Sequence, residues 1–164
     1  MGDRAIDTSN LIPEAEIRGE DTAETAELKS MLQEAKDYVA SFGWAPPVTE
    51  AHMGIGIGGV VAVFLLRLAE PVGEEGDRHL WVIVGDLPPA YLVTDGIDGP
   101  LGALAVYCDL MSDWAEAVKS GSSLDECFPV RAPPDSDHAE MLLDRVRFMR
   151  ERIIAQRARR QEPR

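Results

Sequence analysis

Basic side chains are scarce over most of this chain. Residues 1–144 hold 8 of them against 27 acids, a net of −19. The last stretch, 145–164, reverses the balance with eight arginines against Glu151 and Glu162, leaving −13 for the whole chain. An acidic body repels nucleic-acid phosphates and attracts basic partners. DNA binding by the body is therefore not expected and a basic protein partner is, with solubility as the plainer account of the same charge. Residues 156–164 read as a basic tail, which either folds over the body's own acids or touches RNA or a membrane. Arginines near a helix C-terminus also suit the helix dipole.

Cysteine and histidine are equally thin. Cys108 and Cys127 make no disulfide framework, and His52, His79 and His138 lie far apart with no His-x3-His or Cys-x2-Cys spacing. A zinc site is therefore unsupported. Cys108 falls on the apolar stripe of a helix and reads as a small core residue. Cys127 stands beside Asp125 and Glu126, acids that oppose thiolate formation, so a Cys–His nucleophile is disfavoured. The chain has no G-x-S-x-G elbow, P-loop or His-Glu-x-x-His motif. Gly54, Gly56 and Gly59 do satisfy G-x-G-x-x-G. The dinucleotide fingerprint needs a strand before the glycines and a helix after them, and here the order is inverted. The loop at 95–100 has acids and glycines but not the spacing of a calcium loop. No cofactor or metal is expected. Glu50, His52 and Asp86 are the one trio that could meet at a rim of the sheet, where solvated charge is the usual role.

Long hydrophobic runs are also missing. The most apolar one, Met53 to Leu66, holds no charge and has 14 residues, short of the roughly 20 that cross a bilayer. No membrane span is expected. No leader pattern opens the chain, and with so little cysteine the reading is a cytoplasmic protein. The many alanines, arginines and glycines give a bacterial impression.

What is present is patterning. In the apolar run, β-branched Val60, Val61 and Val63 favour extended backbone. A period of two puts Val60, Ala62, Phe64, Leu66 and Leu68 on one face and Val61, Val63, Leu65 and Arg67 on the other, so Val60 to Leu68 reads as a central strand. Gly58-Gly59 supplies a hairpin turn to a preceding strand, His52 to Ile57, whose glycines would admit a closely packed neighbour. His79 to Val84 and the short Tyr91 to Thr94 read as further strands, the last at an edge because prolines precede it.

Helical spacing appears on both sides. Asp21 with Glu24 forms a capping box for a helix with the stripe Leu28, Leu32, Ala35, Val39 and Phe42, stopped at Gly43. Pro100 opens a second helix, with one stripe through Leu101, Leu104, Cys108, Met111, Ala115 and Val118 and a second through Tyr107, Leu110, Trp114 and Ala117. That wide arc requires more than one neighbour, and one reading is a homo-oligomer joined through the 100–120 helix. Ser136 or Asp137 caps a last helix on Ala139, Leu142, Val146, Met149 and Ile153, expected to fray from Ala155.

The prediction is an α+β domain: an antiparallel sheet of three to four strands, preceded by one helix and followed by two packed on it. Residues 1–20 read as a flexible arm and 21–155 as the single domain. For function, the first expectation is a non-enzymatic acidic module that binds a basic protein, a toxin-neutralising immunity-type protein of bacteria being one concrete form. Trp81, Asp86, Tyr91 and Trp114 are the candidate binding residues, because aromatics with a polar tip anchor interfaces and a free edge strand can be extended by a partner. A secretion-chaperone-like or self-assembling structural subunit is one alternative. A small enzyme with a site built from scattered residues is the other.

Overall fold

A capping box opens the first helix where the sequence places it. Asp21 is the N-cap and its Oδ1 accepts from the Glu24 backbone N at 2.8 Å. Glu24 reaches back in turn, its Oε1 accepting from the Glu20 N at 2.7 Å. The first bond satisfies an amide that the first helical turn leaves without a partner, and the second ties the residue before the cap to that turn. Helix α1 then runs Thr22–Ala40. Leu28, Leu32, Ala35 and Val39 are buried as their spacing requires, joined by Met31 and Tyr38. The helix ends at Ala40 on Ser41, not at Gly43.

The computed structural model describes residues 6–161. The first five residues of the expected arm and the last three of the expected basic tail lie outside that range. The chain divides into two compact units, residues 1–103 and 104–164. Each is described by itself.

The first unit contains α1 and one antiparallel sheet of five strands in sequence order: β1 (Ile12–Pro13), β2 (Val48–Ile57), β3 (Val61–Val72), β4 (Asp77–Gly85) and β5 (Ala90–Val93). The α+β class and antiparallel pairing are as expected, but the sheet has one strand more than the three or four predicted. The addition is β1, in the stretch read as an arm. Its two residues pair with Met53 and His52, between Leu11 and Ile17, which are both buried. A pair this short has no period to read, and its neighbours' burial holds it in place.

β3 is the central strand, and its period-two pattern is realised. Ala62, Phe64, Leu66 and Leu68 join Leu80, Val82 and Val84 of β4 and the buried face of α1 in one core. On the opposite face Val61, Val63, Leu65, Trp81 and Ile83 are buried as well. Val60 is a correction: it is 37% exposed, because it belongs to the turn and not to the strand. That turn is closed by the Val60 N donating to the Ile57 carbonyl at 2.9 Å, with Gly59 at φ +73°. An L side chain rarely adopts this backbone conformation.

The remaining glycines in β2 do the work foreseen for them. The pairing shifts between Met53 and Ile55, so Gly54 is the extra residue of a bulge. A Cβ on Gly54 would strike the Pro100 ring, and one on Gly56 would strike Met53 and the Leu28 side chain of α1.

The second unit is helical. Helix α2 runs Pro100–Ser120, entering the unit at residue 104. Helix α3 runs Ser136–Phe148 and continues through a π-helical segment, Met149–Ile154, into α4, Ala155–Gln161. The stripe Ala139, Leu142, Val146, Met149 and Ile153 is buried throughout. Two expectations are corrected. The N-cap of α3 is Asp135, not Ser136 or Asp137, with its Oδ1 accepting from the His138 N at 2.8 Å. The helix also persists past Ala155. Arg150 ties its side to α2 through Asp109 at 2.7 Å. No described helix is long and apolar enough to cross a membrane.

Candidate functional site

Where α1 stops, the chain must turn from the helix into β2, and the six residues after Ser41 spend that turn on aromatics and a stiff Pro46-Pro47 connector. Phe42 stacks on Trp44 with ring centroids 5.5 Å apart and 26° between planes. Tyr91 of β5 meets both, edge-on to Phe42 at 5.2 Å and tilted against Trp44 at 5.2 Å. Tyr38, on the last turn of α1, closes the cluster against Phe42 at 5.2 Å. Such arrangements contribute beyond the area they bury, so the cluster is held in shape.

It forms one wall of an open groove of about 490 Å³. Trp44, Pro46 and Tyr91 stand on that wall, Leu80 is the buried floor, and the β3–β4 hairpin supplies Glu70, Pro71, Val72, Gly73 and Asp77 on the far side. Val93 of β5 completes the lining. The volume is within the range of about 300–1,000 Å³ typical of ligand sites. Trp44 is 44% exposed and Val93 45%, so both present apolar surface at the groove. The lining contains two carboxylates and no basic side chain.

The four residues chosen from sequence separate here. Tyr91 is half-buried in the groove wall. Asp86 is exposed at the far end of β4, where its backbone N donates to the Val60 carbonyl at 3.0 Å. Trp81 and Trp114 are 2% and 3% exposed, so neither has a surface to offer a ligand. Trp81 points to the sheet face opposite Tyr91, since it pairs with Leu65 and Leu92 while Tyr91 pairs with Val82. Trp44, one of the aromatics with a polar tip, is not among the four candidates from sequence yet lines the groove. Its signal was weak but present: a tryptophan two residues past an apolar helix stripe and just before a double proline, where the backbone leaves the core.

The trio Glu50, His52 and Asp86 does not assemble. Glu50 is level with Arg67, whereas Asp86 follows Gly85, which is level with Val61 and Ile57. They sit at opposite ends of the sheet, on the order of 20 Å apart at the rise of an extended strand. Among the described residues no group of three or more His, Cys, Asp or Glu could hold a metal ion. Cys108 is fully buried, and loss of hydration pushes its thiol up to about 11 despite the nearby Arg150 guanidinium, which keeps it protonated and unreactive at neutral pH. Asp135 is held below the ordinary carboxylate range by the backbone and then the ring hydrogen bonds from His138. That is the electrostatics of a helix cap, not of a reacting centre.

No family model, curated protein or solved structure matches this chain.

Proposed function

We propose that this chain is a non-enzymatic binding module whose acidic surface captures a basic protein, in the manner of a toxin-neutralising immunity-type protein of bacteria. The observation that carries the reading is the exposed Trp44, fixed by stacking on Phe42 and standing over an open groove beside β5. A rigid, partly exposed aromatic with a shaped recess next to it is the usual make-up of an interface anchor. β5 is also an outer strand of the sheet, with one edge turned away from β4 where a partner strand can add. The charge of −13 extends the attraction beyond contact distance. The 100–120 helix is a poorer candidate for self-assembly, because Tyr107, Met111 and Trp114 are all buried.

The test is affinity capture from the native host at low and high salt, read by mass spectrometry. The expected result is one basic protein recovered in stoichiometric amount and lost at high salt, since the screening length falls from about 10 Å at 0.1 M salt to about 3 Å at 1 M. Recovery of the chain alone, or of a partner indifferent to salt, overturns the reading.

A further inference from the structure

We propose that the groove between Trp44 and Glu70 binds a cationic side chain, lysine or arginine, of that protein partner. The inference rests on the basic-partner reading and names where the partner is gripped.

Three features of the groove select for a cation. Trp44 and Tyr91 give it an aromatic wall, and the face of an aromatic ring is negative and attracts ammonium and guanidinium groups, tryptophan most strongly. Glu70 and Asp77 add two carboxylates on the opposite side, with no basic side chain in the lining to neutralise them. A neutral apolar occupant would strip water from both carboxylates and return no hydrogen bond. An anion would meet them head-on. A lysine or arginine satisfies every wall at once: its methylenes lie along Val72 and Val93 and its charged head meets the acids. The groove is also preformed, because Trp44 is stacked on Phe42 and 5.2 Å from Tyr91, so little side-chain freedom is lost on binding.

Position makes the same point. Tyr91 and Val93 are alternate residues of the outer strand β5 and both line the groove. A partner segment running along this edge in extended form would direct every second side chain to the groove's side of the sheet. One basic residue in such a segment would fall into the recess.

The test uses the full chain and small probes. Nα-acetyl-arginine amide and Nα-acetyl-lysine amide are titrated by two-dimensional NMR, with the citrulline and norleucine analogues as uncharged controls. The cations are expected to shift the Trp44 indole, Tyr91 and Val93 signals saturably, with the controls at least about fivefold weaker. Glu70→Gln with Asp77→Asn removes that preference. Glu70→Gln alone, at an exposed position, reduces it in a chain whose fold is untouched. Equal binding of the uncharged controls overturns the proposal, as do shifts spread over the acidic surface that both variants leave unchanged. The two readings fail separately. If the probes dock but the host lysate yields no basic protein, the groove stands and the partner reading falls. If the Glu70→Gln/Asp77→Asn chain captures the basic protein as well as the parent does, the partner reading stands and the groove falls.

Discussion

The two ends of the α1–sheet interface share one helix and one sheet face, yet one end is closed and the other open. At the closed end the start of α1 lies directly on β2. Gly56 has no side chain, and the Met53 sulfur and a Leu28 methyl of α1 crowd the place a Cβ would take. The Gly58 N donates to Glu24 Oε2 at 3.2 Å, so the carboxylate that caps the helix also fixes it to the hairpin turn. At the open end the side chains are too large to close. Tyr38, Phe42, Trp44 and Tyr91 crowd together, and the ring that does not fit inside, Trp44, stays 44% exposed over the groove. Small residues allow two elements to meet at backbone distance, while an excess of aromatics holds them apart and leaves a recess. Rigidity collects at one end and ligand access at the other.

Four substitutions test that contrast. The largest effect is expected from the floor common to both ends. Leu66 is fully buried in the α1-facing core, so Leu66→Asp places an unpaired charge there. A loss upward of about 4 kcal/mol should leave no cooperative melting transition by circular dichroism. A soluble, cooperatively melting product would show that β3 is not the central strand. Next is the closed end itself. Leu28→Ala should cost about 3 kcal/mol by urea unfolding, because the packed backbone around Gly56 cannot collapse into the cavity. Asp21→Ala removes the N-cap acceptor and should cost about 1 kcal/mol. Glu24 should keep its bond to Gly58, so hydrogen exchange should rise in the first turn of α1 and not in the hairpin.

The open end should show a stability effect no larger than that of the cap. Trp44→Ala should cost only about 1 kcal/mol in the same urea series, since half the ring is already in water and the loss is mainly its stacking. Capture of a basic partner should nevertheless fall sharply. A Trp44→Ala chain destabilised as much as Leu28→Ala would mean that the open end is core and not a binding surface.

Much of this fold is legible in the order of residues, and the groove is not. The alternation from Val61 to Leu68 and the spacing of Leu28, Leu32, Ala35 and Val39 each report a face locally, and each face is buried as the period demands. The glycines of β2 report close approach without saying to what. Trp81 and Trp114 are candidates by residue type because tryptophan anchors interfaces, yet residue type does not say which face of a sheet a side chain takes in the final register. Trp81 is level with Leu65 and so lies opposite the groove, while Tyr91, ten positions later, lies in it.

By itself the sequence determined what depends on neighbours along the chain: the capping box at Asp21, the helical stripes, the central strand, the turn at Gly59 and the acidic charge. Periodicity, capping and chain stiffness act within a few residues and need no knowledge of the rest. Tertiary structure alone decided the pairing of Ile12 and Pro13 with β2, the separation of Glu50 from Asp86, and the meeting of Trp44, Tyr91, Glu70 and Asp77 around one recess. Those four groove residues come from a helix exit, a hairpin and an outer strand. Only the register of the sheet, set by burying both faces of β3, brings them together.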